Sequence, residues 1–178
     1  MASTILTALT TAGTHEVGSL NSLQVKTLAH GARIKTAAVD NFTIVELAGF
    51  NADGEQECVQ LATVTNKGYL VASVEQRYLN EEIDQFYNAV GDFARLVVQE
   101  KDYTRFETSA FSKNAGLTTI IKGNVAHFDP ATKKFIVSTA GSAHAAYATA
   151  GNKYLVVRDE TDCAGNYTKS TIRLQVTV

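Results

Sequence analysis

A chain of 178 residues, 45% hydrophobic and 19% charged, can build its own core and is too apolar to stay disordered. Its net charge of −2 offers no basic excess to displace counterions from phosphates, so a nucleic-acid partner is not expected. No apolar run approaches the roughly 20 residues that a membrane helix needs, so no membrane partner is expected either.

Residues 1–32 are rich in Thr, Ala, Ser and Gly, low in charge and free of Phe, Tyr and Trp. They lack the basic start and continuous apolar stretch of a secretion signal. The chain is therefore expected to stay in the cytoplasm where it is made, or to leave it inside a larger particle or by lysis. The segment has little to bury by itself, yet it is not polar enough for a solvated tail. It is expected to be an extended arm, with residues 33–178 as a β-rich domain. The arm's thinly spread apolar residues, Ile5, Leu6, Leu9, Val17, Leu20, Leu23 and Val25, are the candidate partner interface.

A regular β-pattern follows. Runs at 33–39 and 42–47 are split by Asp40-Asn41, a pair tolerant of left-handed dihedrals. Asn51-Ala52-Asp53-Gly54 makes a second turn, residues 58–64 alternate, and Asn66-Lys67-Gly68 turns the chain into an apolar run at 69–74. Over 80–90 the spacing predicts an amphipathic helix. Asn80 can cap it, and Glu81, Glu82 and Asp84 suit the positive end of its dipole. Ile83, Phe86, Tyr87 and Val90 form one stripe, and Gly91 can supply a left-handed stop.

Beyond the helix, residues 103–111 alternate, with Thr104, Phe106, Thr108 and Ala110 on one side. Lys122-Gly123-Asn124 reads as a bend. Asp129 and Pro130 open a hairpin turn between Phe128 and Phe135. Residues 154–158 form a strand, and 170–178 end in alternation with Ile172, Leu174, Val176 and Val178 inward. The predicted fold class is α+β: a mostly antiparallel β-barrel or sandwich with one helix at 80–90 and an extended N-terminal arm.

Each catalytic or metal pattern fails on a particular missing group. Gly13 to Gly18 imitates a phosphate loop without its lysine. His15-Glu16 lacks a second histidine four residues after the first. Ser142 lacks the second glycine of a nucleophile elbow. The four histidines, His15, His30, His127 and His144, are scattered. Asp159, Glu160 and Asp162 do not follow the calcium-loop order. Cys58 and Cys163 match no zinc or redox spacing and read as reduced thiols. Arg77, Arg95 and Arg105 can pair with helix carboxylates or face a partner. No enzyme, cofactor or metal is expected.

Several blocks together resemble a known family. They are GARIKTAAVDNFTIVELAGF from Gly31, GEQECVQLATVT from Gly54, YLVASVEQRYLNEE from Tyr69, FYNAVGDFARLVV from Phe86 and YTRFETSAF from Tyr103. Weaker ones are IKGNVAHFDPATKKFIVS from Ile120 and NKYLVVRDE from Asn152. In this order they resemble the head-decoration or capsid-auxiliary proteins of tailed bacteriophages. The resemblance implies a non-enzymatic virion protein on the capsid exterior, assembled in the bacterial cytoplasm. Its implied partners are the major capsid protein and further copies of itself, with a trimer suited to local threefold axes. A tail-tube or head–tail joining subunit is the alternative, since such proteins are also β-rich and form rings. A small hydrolase would require distant polar groups to converge in a deep pocket.

Overall fold

The computed structural model describes residues 18–75, 86–159 and 170–178. In chain order the strands begin with β1 (Gly18–Leu20), β2 (Ala32–Ile34), β3 (Ile44–Phe50), β4 (Gln56–Gln60) and β5 (Tyr69–Val71). Next come β6 (Phe93–Ala94), β7 (Leu96–Val97), β8 (Arg105–Thr108) and β9 (Phe111–Lys113). The last are β10 (Val125–Asp129), β11 (Lys134–Ser138), β12 (Lys153–Arg158) and β13 (Ile172–Val176). Seven form one sheet in the order β1-β8-β13-β12-β10-β11-β9, and six form the other in the order β6-β2-β4-β3-β5-β7.

Period-two patterning decides which side chains enter the space between the sheets. In β8 and its flanks Thr104, Phe106, Thr108 and Ala110 are buried, as the alternation requires. Ile172, Leu174 and Val176 are buried in β13, whereas Val178, past the strand's end, is 48% exposed. The seven-stranded sheet supplies Phe106, Phe128, Phe135, Tyr154 and Leu174 to one apolar cluster, and the six-stranded sheet supplies Ile44, Leu70 and Val97. Phe106 packs its ring 5.5 Å from that of Phe135 and 5.7 Å from that of Tyr154. The hairpin from β10 to β11 forms as expected, with the Asp129 carboxylate accepting from the backbone N–H of Ala131 and Thr132.

The six-stranded sheet curls strongly. Its two end strands, β6 and β7, are separated in sequence by Arg95 alone, and β6 pairs with β2 while β7 pairs with β5. The curl encloses a second cluster of Ala32, Ile34, Val45, Cys58, Val71 and Leu96. A sheet buried on both faces explains why β5 is a continuous apolar run and does not alternate.

The predicted fold class does not hold. The described residues are nearly all β and form two mixed sheets with no closed barrel, in place of the expected α+β barrel or sandwich; most strand pairs are antiparallel, but β2 with β4 and β9 with β11 pair in parallel. Strand β4 lies between β2 and β3, so the antiparallel β3–β4 hairpin sets β4 parallel to β2. Among the described residues the only helix is a 3-10 turn at Ala145–Tyr147. Of the helix expected over 80–90, residues 80–85 lie outside the described residues, and residues 86–90 are not helical.

Burial there runs against the helical stripe: Asn88 is 2% exposed and Val90 55%. Asn88 bridges Val39 through backbone hydrogen bonds in both directions, and its side chain donates to the Val39 carbonyl and to Asn41 Oδ1. Long-range pairing thus overrides a local spacing of four apolar residues. Gly91 is left-handed, with φ 92°, but in a turn closed by a hydrogen bond from the Asp92 N–H to the Ala89 carbonyl. The arm residues divide: β1 pairs with β8 at the edge of the seven-stranded sheet, and Thr27 bridges Val97.

Phe106→Ala opens a void where three rings meet and is expected to destabilise the fold by about 3–5 kcal/mol in urea unfolding. A loss below about 1 kcal/mol would place Phe106 outside the joint core.

Candidate interaction surface

The two sheets part at one margin and leave a cleft of about 320 Å³. One wall is Gly18, Ser19 and Leu20, and the other is Ala72, Ser73, Val74 and Glu75, with Phe42 and Arg95 completing the lining. Neighbouring residues of an extended chain point to opposite faces. Consecutive residues lining one space therefore turn their backbone edge towards it. The cleft is a slot between two chain edges.

Hydrogen-bond parity supports this for β1. The Asn21 N–H donates to the Arg105 carbonyl, and Ser19 sits opposite Glu107. In an antiparallel pair the bonded positions alternate. Ser19 and Asn21 therefore turn their backbone groups towards β8, and Gly18 and Leu20 turn theirs away. Gly18 is required at the slot: a Cβ there would lie 2.3 Å from the Glu107 carbonyl oxygen and 2.7 Å from the Phe42 ring.

On the opposite wall the Ala72 N–H donates to the Arg95 carbonyl at 2.9 Å, and Ser73 is held by a side chain. The Asn41 amide donates to the Ser73 carbonyl at 2.9 Å and accepts from the Ser73 N–H at 3.1 Å, which imitates a strand partner. Asn41 also donates to Glu75 at 3.4 Å. Burial pushes the Glu75 carboxyl above its ordinary range, against the pull of the Asn41 hydrogen bond. The Asp40-Asn41 turn places its left-handed residue one step later than expected, at Phe42 with φ 56°. That conformation costs an L-residue roughly 1–2 kcal/mol. It is offset by burial of the ring and by a 2.7 Å hydrogen bond from the Phe42 N–H to the Val71 carbonyl.

Of the candidate interface residues, Leu20, Leu23 and Val25 lie among the described residues. Leu20 packs against the joint core. Leu23 is fully exposed and Val25 is 39% exposed. Ile5, Leu6, Leu9 and Val17 lie outside the described residues, as do His15, Arg77, Glu81, Glu82, Asp84, Glu160, Asp162 and Cys163. Arg105 is bound to its own sheet, its Nε donating to Gln175 at 2.8 Å. Arg95 lines the slot, which sets it apart from Arg105. Phe42, Ser73, Val74 and Glu75 were not legible as site residues, because their proximity to β1 arises only when the sheets pack.

Two further groups bear on chemistry. Burial raises the Cys58 thiol to about 11, so it is not a thiolate nucleophile. His127 is 1% exposed, and its ring stacks on that of His144 at 5.1 Å, with Tyr147 edge-on at 6.4 Å. Among the described residues, no three His, Cys, Asp or Glu are grouped to hold a metal ion. None of their helices is long and apolar enough to cross a membrane.

The chain belongs to the YonC prophage protein family, whose pattern it matches over residues 11–177. It is 48% identical over 176 residues to the SPbeta prophage-derived protein YonC of Bacillus subtilis (strain 168), covering 99% of this chain and 98% of that protein. Its origin is therefore phage. No solved structure matches it.

The histidine stack makes stability depend on pH. Burial, then repulsion from His144, lowers His127 from 6.5 to about 4, and Asp129 opposes the shift. The unfolded imidazole takes up its proton first as pH falls. The stability from neutral His127 is thus whole above about 6.5 and lost on descending to about 4. Urea midpoints should fall over that window in the native chain and fall less steeply in His127→Gln. Equal slopes in the two proteins would contradict this.

Proposed function

We propose that this chain is a non-enzymatic structural protein of a tailed-phage virion, which docks on the assembled capsid from outside and cements adjoining capsomers. Membership of a prophage protein family is the observation that carries the reading. The blocks that resemble capsid-auxiliary proteins cover most of the two-sheet body. A doubly cored body with a slot beside an edge strand fits a part whose work is adhesion. Binding only the assembled shell stabilises that shell by mass action, as a ligand stabilises the fold it binds. The partners under this reading are the major capsid protein and neighbouring copies of the chain, with a trimer suited to a threefold position. The site of action is the capsid exterior, after assembly in the host cytoplasm.

The open edge of β1 also supports a second reading, a tail-tube or head–tail joining subunit. A strand edge that accepts another chain head-to-tail generates rings when the rotation closes.

Heads produced by the same prophage without this chain provide the test. Purified protein should bind expanded heads in saturable amounts, and the coated heads should survive heat or chelation that disrupts bare ones. Absence of binding, with labelled protein found on tails, would remove the capsid reading in favour of the second.

A further inference from the structure

The slot is walled on one side by a strand edge whose outward groups find no partner among the described residues. An edge strand of three residues whose outward groups are unpaired among the described residues is a template for another strand. Peptides bind such edges by strand addition: main-chain hydrogen bonds give affinity, and alternate side chains enter the adjoining pockets. Here the lining mixes apolar Leu20, Phe42, Ala72 and Val74 with the hydroxyls of Ser19 and Ser73, and Val74 is left 69% exposed. One acid, Glu75, and one base, Arg95, balance each other in it. The chemistry therefore favours an uncharged, extended, β-forming segment without proline.

We propose that the slot takes residues 4–10 of a second copy of this chain, added as a strand along the outer edge of β1. That sequence is Thr-Ile-Leu-Thr-Ala-Leu-Thr, rich in β-branched and apolar residues. The first fourteen residues carry no charged side chain, and the chain's one proline is Pro130. The segment is tethered at Gly18, itself a wall of the slot, so each copy presents an arm beside the site that receives its neighbour's. Reciprocal exchange covers an open edge in both chains at once, and closed symmetry then fixes the number of copies. The inference deepens the self-association in the structural reading and rests on that reading only for its setting on a lattice.

Disulfide trapping in the full-length chain tests it, with Cys163→Ser in every sample and Cys58 too buried to compete. One sample carries Thr7→Cys and another Val74→Cys. They are mixed, oxidised mildly and run without reductant. A mixed dimer joined at 7 and 74 should form at least tenfold more than when Ile121→Cys, 56% exposed and outside the slot, replaces Val74→Cys. Equal yields from slot and control positions would overturn the proposal. So would a chain carrying both Thr7→Cys and Val74→Cys that closes on itself while the mixture gives no dimer, since the arm would then fill its own slot. Trapping succeeds or fails in solution. A chain that exchanges arms but ignores heads would contradict only the capsid reading, and one that coats heads without exchange only this inference.

Discussion

The layer of apolar side chains shared by the two sheets is the constraint on which the rest depends. Neither sheet alone could bury Phe106, Phe135 and Tyr154 against Ile44, Leu70 and Val97. At one end of the layer a polar latch fixes the spacing. The Gly68 N–H donates to Asn152 Oδ1 at 2.7 Å, the Gln99 amide donates to the Gly68 carbonyl at 2.8 Å, and the Tyr154 hydroxyl donates to Gln99. These groups are buried or half-buried, so breaking one leaves another unsatisfied, which costs about 1–3 kcal/mol. At the other end Ala72 is held by the Arg95 carbonyl and Ser73 by the Asn41 side chain, and there the layers part into the slot.

A latched end and a parted end give the molecule a direction. The latch and the curl about Arg95 hold the strand edges at fixed separation, so the slot is presented preformed. Under the proposed exchange of arms, a preformed edge would lose little further order on accepting a strand. The His127–His144 stack lies against a different margin, the hairpin of β10 and β11 and the 3-10 turn. Its buried member, His127, is held neutral chiefly by burial.

Where alternation governs burial, the sequence was readable: Phe106 and Thr108 in β8, the inward set of β13 and the Asp129 turn all sit where period and turn chemistry put them. It was least readable where distant pairing decides. The apparent helical stripe through Phe86, Tyr87 and Val90 gave way because Asn88 has a strand partner in Val39, 49 positions away. The parallel pairs were hidden because turn signals report only neighbours in sequence, while β4 enters between β2 and β3 from outside that order. The slot was illegible for the same reason, since its walls lie far apart in the chain.

Cryo-electron microscopy of particles released from an induced lysogen is the most direct measurement of a virion structural role. Capsid cementing predicts density of this two-sheet body on the outer surface of the head, in symmetry-related copies that bridge capsomers and vanish when the gene is deleted. Complete heads without that density, or the body found only in the tail or in no particle at all, would contradict it.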